Sequence, residues 1–371
     1  MKFDNQLRYA VNIIEKYDGS VPLHKWLKDY FRANKQMGSN DRKTVSQMAY
    51  GFYRLGFNQY ANTEERVIGG LAASRQLPAV LEYFLSKGTE IHEPDPAKIF
   101  PWPDRLSEGI DALSFAKSFL VQPDLFLRIR PGFRETVIEK LNQSSIPYSI
   151  FGDACVRMSN ATKVDELLRI NTEAVVQDKS SQETASMLDN LFGAKQEIDV
   201  WDCCAASGGK SLMVLDLLRS IDLTVSDIRE SILMNLRERF AEAGVDHYHA
   251  LVTDLTDAND PLPSKRFDLI IADVPCSGSG TWARTPEQLY FFKEEKIDYY
   301  SQLQKRIVSR VVPLLRKGGV LLYITCSVFK DENEEVIEHI ARNYSLTVER
   351  KQIFSGYNDR ADTLFAALLR G

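Results

Sequence analysis

The spacing of apolar residues divides the chain into a helical first part and a second part in which strands and helices alternate. Up to about residue 115, apolar positions recur at the i, i+3, i+4, i+7 spacing of a helix face. The first such face comprises Leu7, Ala10, Val11 and Ile14. A second face follows the N-cap residues Ser39, Asn40 and Asp41. Four prolines within residues 94–103 predict a loop or hinge between helices.

The pattern changes at Leu125. Residues 125–130 end in an apolar–polar alternation and run into Pro131-Gly132, which predicts a strand followed by a turn. A short helix over 136–141 and a second strand over 149–151 complete a small α+β linker module.

From residue 176 onward, short apolar strands alternate with helical patterns, which is typical of a mostly parallel α/β sheet. The predicted strands are 198–204, 223–227, 248–253, 267–272 and 320–325. Two later strands, at 346–352 and 362–369, are predicted to close the sheet as an antiparallel hairpin at its edge. The patterns together predict domains at 1–118 (helical), 119–175 (α+β module) and 176–371 (α/β).

Composition narrows the class of protein. The 371 residues carry a net charge of −5 and are 44% hydrophobic, which excludes wholesale disorder. No apolar run reaches the ~18 residues that span a bilayer, and the start has no secretory signal pattern. Five cysteines, with Cys203 and Cys204 adjacent, form no disulfide framework, and CxxC and HExxH spacings are missing from the sequence. We therefore expect a cytoplasmic protein without a metal site or a membrane span.

Charge differs between the two ends of the chain. Residues 1–60 carry ten Lys and Arg against five Asp and Glu, whereas residues 176–371 carry 23 against 30. This asymmetry suggests a phosphate-seeking N-terminal module joined to a module that carries out chemistry. Ordinary solvated helix faces explain the same counts, and charge alone favours that simpler explanation.

The segment 200–211, VWDCCAASGGKS, places a tight loop of small residues between a buried strand and a helix. Such a loop lets a ligand approach the backbone at the helix N-terminus. A P-loop needs glycine five positions before Gly209, where Cys204 stands, so that type of nucleotide site is disfavoured.

Four predicted strands end in an aspartate, namely Asp202, Asp227, Asp254 and Asp273. An acidic residue at the tip of the second strand can bind ribose hydroxyls. Acceptors along one sheet edge suit a cofactor with hydroxyls, an amino group and a positive centre, as in S-adenosylmethionine. Each aspartate alone is equally well explained as a helix N-cap, but the repetition at successive strand ends favours the cofactor.

Two cysteines follow two different strands at the same predicted sheet edge. Cys276 lies in DVPCSGSG and Cys326 lies in YITCS. A lone buried cysteine is usually inert packing, but two at strand ends, each followed by serine, favour nucleophilic catalysis. The residues themselves do not rank one cysteine above the other.

These motifs resemble those of the RsmB/NSUN group of RNA cytosine-5 methyltransferases. The resemblance rests on DCCAASGGKS, ADVPCSGSG, YITCS and the following ENEE, with further support from VQDKSSQ at 176–182 and DTLFAALL at 362–369. Residues 1–115 are similar to the helical NusB-like RNA-binding domain of the RsmB members, chiefly through Asp41-Arg42 and AYGFYR at 49–54. The chain departs from the family at Ser207, where proline is usual, and after PCSG, where only Arg284 stands for the usual arginine pair.

The resemblance implies a Rossmann-like class I methyltransferase domain that transfers a methyl group from S-adenosylmethionine to C5 of a cytosine in RNA, with ribosomal RNA preferred. It implies that Cys326 attacks C6, that Cys276 assists release, and that Asp273 touches both base and cofactor. The expected cofactor-binding residues are Cys204, Ala205, Ala206, Ser207, Gly208, Gly209, Lys210, Asp227, Asp254 and Asp273.

Two alternatives remain open. A DNA cytosine-5 methyltransferase would use the cysteine after proline, Cys276, whereas the motif order and the Thr-Cys-Ser context of Cys326 favour RNA. A non-catalytic RNA-binding assembly factor would need neither cysteine, and their retention with Lys210 argues against it.

We expect a monomer that binds a single-stranded or loop cytosine, because the target base must leave its stack. Basic residues in 1–60 together with Arg128, Arg130 and Arg134 are the predicted phosphate contacts. The candidate base-stacking residues are Trp282, Tyr290, Phe291 and Phe292, although core packing explains the last three more simply.

Overall fold

The computed structural model describes residues 2–192, 197–218 and 220–371. Its helices are α1 (Lys2–Lys16), α2 (Leu23–Ala33), α3 (Ser39–Arg54), α4 (Thr63–Ala73), α5 (Pro78–Ser86), α6 (Pro96–Ile99), α7 (Ala112–Ser118), α8 (Arg134–Gln143), α9 (Lys179–Glu183), α10 (Gly209–Leu217), α11 (Glu230–Glu242), α12 (Pro286–Phe291), α13 (Glu295–Val311) and α14 (Glu334–Tyr344). Its strands are β1 (Leu125–Ile129), β2 (Tyr148–Phe151), β3 (Cys155–Met158), β4 (Ala174–Val176), β5 (Ile198–Asp202), β6 (Ile221–Asp227), β7 (His249–Val252), β8 (Phe267–Asp273), β9 (Leu315–Thr325), β10 (Thr347–Ser355) and β11 (Thr363–Arg370).

The chain forms two compact units. The helical unit comprises Met1–Leu106, Asp111–Gln122 and Thr281–Glu294, and the sheet unit comprises Ser107–Ile110, Pro123–Gly280 and Glu295–Gly371. The three-domain division at residues 118 and 175 stays a prediction about which parts fold independently.

The helical unit is held by an apolar core beneath α1, α3 and α4, as the periodicity predicts. The predicted α1 face is buried at Leu7, Ala10 and Ile14. Gly51 and Gly70 let α3 and α4 approach closely, since a Cβ on Gly70 would collide with the Gly51 carbonyl. Close packing at these glycines is therefore a requirement of the helix pair.

The proline-rich stretch is not entirely loop. Residues Pro96–Ile99 form one helical turn, α6, with the Asp95 carboxylate accepting from the Ala97 N–H at 3.0 Å. Proline is tolerated at the first helical position because its missing N–H has no helical partner there. The prediction of a loop is wrong for this turn.

The segment Thr281–Glu294 belongs to the helical unit, although it follows β8 in sequence. Its helix α12 places Tyr290 with ring centroids 5.5 Å from Phe52 and 5.4 Å from Tyr53. Phe291 lies 5.6 Å from the ring of Tyr17. Core packing is therefore the correct interpretation of Tyr290, whereas Phe291 remains 37% exposed and its contact with RNA bases stays a prediction.

Trp282, in the same segment, is 1% exposed. Its ring centroid lies 4.6 Å from Phe292 and 6.4 Å from both Phe100 and Trp102. The prediction that Trp282 stacks on bases of RNA is wrong, because neighbouring rings cover it.

Buried polar groups fix this segment within the helical unit. The Arg54 guanidinium donates through Nη1 to the carbonyls of Phe119 at 2.7 Å and Ala283 at 3.0 Å. The Glu287 carboxylate accepts from the Leu23 N–H, at the start of α2, at 3.1 Å. The segment Thr281–Glu294 is thus hydrogen-bonded to residues near the start of the chain.

The sheet unit contains two sheets. The smaller sheet is antiparallel, in the order β2-β3-β1-β4, and α8 packs over an apolar core on one face. The predicted strands at 125–130 and 149–151 and the helix at 136–141 are confirmed as β1, β2 and α8. Strands β3 and β4 were missed.

Two arginines of this module are structural. Arg128 donates from Nη1 to the Asp216 carboxylate at 2.6 Å, and Arg130 donates from Nη2 to the same carboxylate at 2.9 Å. These three side chains are only 8–13% exposed. The prediction that Arg128 and Arg130 bind RNA phosphates is wrong, since both guanidinium groups are largely buried and donate to the Asp216 carboxylate. Arg134 donates from Nε to the Asp153 carbonyl at 3.0 Å on the exposed side.

The larger sheet has the order β10-β11-β9-β8-β5-β6-β7. Strands β9, β8, β5, β6 and β7 are parallel, whereas β11 runs antiparallel to both β9 and β10. The five predicted strands and the antiparallel hairpin at the edge are confirmed, with ends that differ by a few residues. Apolar side chains fill both faces of the sheet, with α10 and α11 over one and α13 and α14 over the other.

Removing the carboxylate shared by Arg128 and Arg130 should destabilise the protein strongly. Asp216→Ala leaves two buried guanidinium groups without a counter-charge, and losing one partner of a buried ion pair costs about 3–5 kcal/mol. Urea unfolding followed by circular dichroism should show a clearly lowered midpoint. Asp29→Ala, which removes the exposed Asp29–Arg32 pair, should leave the midpoint almost unchanged. Equal shifts in the two variants would contradict the structural role.

Candidate active site

A strained loop joins β5 to α10. Ala206 and Gly208 have positive φ values of 47° and 81°, and Gly208 occupies the N-cap position of α10. A Cβ on Gly208 would lie 2.7 Å from the Phe240 ring, so glycine is required by both conformation and space. The chain therefore turns tightly and leaves backbone groups open at the start of the helix.

Two cavities lie along this loop. The smaller, of about 240 Å³, is lined by Cys204, Ala205, Ala206, Ser207, Gly209, Lys210, Asp202, Asp273, Val176, Gln177 and Ser181. The larger, of about 720 Å³, is lined by Asp227, Asp254, Asp273, Cys276, Cys326 and neighbouring residues, including Tyr299, Leu303 and Arg306 of α13. Cys204, Ala206 and Asp273 belong to both walls. Every predicted site residue except Gly208 thus borders a cavity, and Gly208 shapes the turn beneath.

Lys210 links the loop to the end of β8. Its ammonium group donates to the Asp273 carboxylate at 3.1 Å and to the Ser181 hydroxyl at 2.7 Å. The lysine side chain is 9% exposed and that of Asp273 is 33% exposed. The pair therefore holds the Asp273 carboxylate in place while leaving part of it accessible.

Asp202, at the end of β5, is fully buried. One carboxylate oxygen accepts from the Ser211 hydroxyl at 2.6 Å, and the other has no hydrogen-bond partner among the described residues. Burial raises the pKa of Asp202 to about 7, and the nearby charge of Asp273 acts in the same direction. A buried acceptor without a donor, at a cavity wall, is the environment that a ligand's N–H group would complete.

Asp227 and Asp254 each close a local turn as well as facing the larger cavity. Asp227 accepts from the backbone N–H of Arg229 at 2.9 Å and of Ala206 at 3.1 Å. Asp254 accepts from the backbone N–H and hydroxyl of Thr256, at 2.8 and 2.7 Å. Each of these two carboxylates can thus hold a local turn, as an N-cap does, and also bind a ligand in the cavity.

Cys276 and Cys326 meet at the wall of the larger cavity, with their Sγ atoms 3.2 Å apart. The hydrogen bond between the two thiols, together with burial, raises the pKa of Cys276 well above its ordinary value. The contact brings both thiols to one place on the cavity wall, at a distance that the sequence did not reveal.

Several residues behind the cysteines were not predicted as part of the site. Glu332 and Asn333 come from the ENEE motif, whose role the sequence leaves open, and Gln304 lies in the middle of α13. All three are fully buried. The Asn333 amide donates to the Ser327 carbonyl at 2.9 Å and to the Ser107 hydroxyl at 2.8 Å. Gln304 carries no sequence signal beyond its place on an amphipathic helix.

The described residues hold neither a metal-binding cluster nor a helix that could cross a membrane. Within residues 2–192, 197–218 and 220–371, no group of three or more His, Cys, Asp or Glu side chains is arranged to hold a metal ion. In the same part of the chain, no helix has the length and apolar character needed to cross a bilayer.

The fold and the site together define a class of protein. The fold is the Rossmann-like fold of class I methyltransferases: a seven-stranded sheet with one antiparallel hairpin, and a small-residue loop at the carboxyl end of β5 beside acidic strand ends. Residues 189–360, a little under half of the chain, match the family model of the 16S rRNA methyltransferases RsmB/F.

Curated relatives carry the same family name. The chain is 33% identical over 187 residues to a probable ribosomal RNA small subunit methyltransferase B of Bacillus subtilis, covering 49% of this chain and 41% of the relative. It is 29% identical over 250 residues to the ribosomal RNA small subunit methyltransferase B of Yersinia enterocolitica, covering 66% and 56%. The chain thus spans about half the length of the curated relatives it matches.

Solved structures share the fold. The crystal structure of PH0851 superposes with a TM-score of 0.74 over 99% of this chain and 98% of that one, at 20% identity. NSun6 from Pyrococcus horikoshii, crystallised with SFG, gives a TM-score of 0.59 over 70% and 94%, at 15% identity. At these identities the likeness concerns the fold alone.

The pKa of Asp202 generates a pH-dependent prediction. The pKa is raised from 3.8 to about 7 in the folded chain, so ionisation of Asp202 disfavours folding. The penalty is absent below the lower value, grows between the two and is complete above the upper one. Asp202→Asn removes this penalty. The gain in its free energy of unfolding over wild type, measured without ligand, should therefore be larger at about pH 8 than at about pH 5, by on the order of 3 kcal/mol.

Urea unfolding at the two pH values measures this difference. Ser211→Ala keeps the carboxyl group but removes a hydrogen bond that lowers the pKa of Asp202, so it should destabilise the protein more at about pH 8 than at about pH 5, opposite in sign to Asp202→Asn. A stability difference between Asp202→Asn and wild type that is equal at both pH values would contradict a buried, ionisable Asp202.

Proposed function

We propose that this chain transfers a methyl group from S-adenosylmethionine to C5 of a cytosine in ribosomal RNA, through a covalent bond between Cys326 and C6 of the base. The observation that carries the proposal is the pair of thiols 3.2 Å apart in the wall of the larger cavity, beside the β5–α10 loop. The names of the curated relatives support ribosomal RNA as the substrate class.

The residues around the loop fit the cofactor. The unpartnered oxygen of Asp202 suits an amino group, and the carboxylates of Asp227 and Asp254 suit hydroxyl groups. Ile228 and Leu255 add apolar surface to the same cavity, which suits a purine ring. We propose that residues 204–210 with Asp227, Asp254 and Asp273 hold S-adenosylmethionine. When bound, the cofactor supplies an electrophilic methyl group on a sulfonium centre.

The cysteines divide the chemistry on the base. Cytosine C5 is a poor nucleophile, but addition of a thiolate to C6 breaks the aromatic system and places electron density on C5. We assign this addition to Cys326, because its Thr-Cys-Ser context is the one that the resemblance to the RNA enzymes implies for the attacking cysteine. After C5 has been methylated and has lost its proton, the bond between Cys326 and C6 breaks, and Cys276 assists this release.

Asp273 is the group placed to hold the base. It ends β8 three residues before Cys276, borders both cavities and is fixed by Lys210. A carboxylate there can accept a hydrogen bond from the exocyclic amino group of cytosine, which orients the base beside the two thiols.

Substitution of each cysteine tests the covalent mechanism. Cys326→Ala should abolish methylation and form no adduct, because it lacks the attacking sulfur. Cys276→Ala should attack and methylate once, then stay attached to RNA because release fails. After incubation with cytosine-containing RNA and S-adenosylmethionine, a denaturing gel should show a slowly migrating band for Cys276→Ala alone. Cys155→Ala, which changes a thiol in the small antiparallel sheet, is the matched control and should behave as wild type.

Other patterns would contradict this proposal. An adduct in Cys326→Ala and none in Cys276→Ala would make Cys276 the nucleophile and favour the DNA-type enzyme, which the same gel with DNA would test. Methylation that persists in both variants without an adduct would exclude a covalent route. RNA binding by a wild-type protein that methylates no RNA would favour the assembly-factor alternative.

The exposed face of α2 is our proposed RNA-phosphate contact of the helical unit. Lys25, Lys28 and Arg32 follow the i, i+3, i+7 spacing of one helix face, and all three are exposed. Arg32 pairs with Asp29 at 3.1 Å, with both side chains largely in solvent. Exposed lysines attract phosphates through long-range, salt-sensitive electrostatics.

Deleting the helical unit would not test this contact cleanly, because Tyr290 and Phe291 would lose the rings they pack against. The double substitution Lys25→Ala, Lys28→Ala avoids that problem. It should weaken RNA binding and reduce the slope of log K against log salt by about 0.7 for each lysine on a single strand. Filter binding at several salt concentrations measures the slope, with Lys98→Ala, Lys317→Ala as the matched control. An unchanged slope would exclude this face as the contact.

A further inference from the structure

One buried carboxylate lies directly behind the two cysteines. Glu332 is 0% exposed and precedes α14. Its Oε2 accepts from the Ser277 backbone N–H at 2.8 Å and from the Gln304 amide at 3.2 Å. Its Oε1 accepts from the Ser327 hydroxyl at 2.8 Å. Three donors from three separate parts of the chain therefore converge on one side chain.

Two of these donors are the immediate neighbours of the reactive thiols. Ser277 follows Cys276, and Ser327 follows Cys326. Between them the hydroxyls of Ser277 and Ser327 are 3.2 Å apart. Glu332 therefore joins the loop after β8 to the loop after β9 at the residue next to each sulfur.

Burying the carboxyl group of Glu332 costs free energy, which a side chain that only fills space would not require. Burial of its carboxyl group raises the pKa of Glu332, which is the sign of an unfavourable environment for its charge. An apolar side chain of similar volume in a buried ionic position is often neutral or stabilising. An apolar residue, however, would leave the Ser277 N–H without its acceptor and the two loops without a common tie.

The geometry points to Glu332 as a positioning residue that sets the separation of Cys276 and Cys326 by holding both cysteine loops. This inference rests on the proposed two-cysteine chemistry for its functional consequence. Cys326 must attack the base and Cys276 must then assist its release, so both thiols have to lie at one carbon–carbon bond of the cytosine ring. A small displacement of either loop therefore slows turnover. Glu332 itself touches neither thiol through a hydrogen bond among its described contacts.

The separation of the Cys276 and Cys326 thiols can be tested by chemical cross-linking, without RNA or cofactor. Dibromobimane bridges two neighbouring thiols; each sulfur displaces one bromide and releases a proton. The rate of bridging between Cys276 and Cys326, identified by peptide mass, should fall at least tenfold in Glu332→Ala. Glu332→Gln should retain most of the rate, because the amide oxygen can accept from Ser277 and the amide nitrogen can donate to Ser327. Glu335→Ala, an exposed glutamate in the same motif, should bridge at the wild-type rate.

Turnover supplies the second measurement. In Glu332→Ala we expect kcat for methylation to fall at least tenfold while KM for RNA changes less than twofold, with rescue in Glu332→Gln. Thermal melting identifies any variant that fails to fold. In that case Ser327→Ala takes its place and should slow bridging at least threefold, because it removes the hydroxyl that contacts both Glu332 and Ser277.

Different results would contradict the positioning role of Glu332 and the proposed methyltransferase function. Wild-type bridging rates in folded Glu332→Ala and Ser327→Ala would overturn the positioning role, whatever the methylation assay shows. Slow bridging in Glu332→Ala with an unchanged kcat would overturn the functional consequence of that role. Slow bridging in Glu332→Ala, together with a wild-type protein that methylates no RNA, would support the positioning role and reject the proposed function.

Discussion

The parallel pairing of β8 with β9 is the constraint on which the site depends. Asp273 and Ile324 are in register at the end of this pair, so the chain continues from both strands at the same level. The Gly280 N–H then donates to the Cys326 carbonyl at 2.9 Å, beyond the last residues of the ladder. A Cβ on Gly280 would collide with the Thr363 carbonyl. The contact between the two thiols follows from this packing of backbone on backbone.

Much of the fold can be predicted from the sequence because its signals are local. Strands buried on both faces appear as short apolar runs, and the helix after each one implies parallel neighbours whose carboxyl ends share an edge. That topology alone brings Asp227, Asp273, Cys276 and Cys326 to one side of the sheet, as the structure shows. The spacing of motifs thus predicts which residues meet, although not at what distance.

The remaining errors concern partners that are remote in sequence. Arg128 looks the same in the sequence whether it faces a phosphate or the Asp216 carboxylate, 88 residues away. Trp282 looks like an exposed ring near a catalytic loop until Phe100 and Trp102 are placed around it. Gln304 occupies an ordinary position on an amphipathic helix, and only the tertiary structure makes it a donor to Glu332. No local pattern records such pairings.

The composition of the helical unit has a consequence for synthesis of the chain on the ribosome. The first two of its three segments are complete at Gln122, and the third begins only at Thr281. At roughly 5–20 residues per second, translation reaches that last piece about 8–30 s after the first two pieces have been made. During that interval, the rings of Tyr17, Phe52 and Tyr53 lack the partners that Tyr290 and Phe291 later provide. The helical unit therefore cannot complete its aromatic packing until much of the sheet unit has been translated.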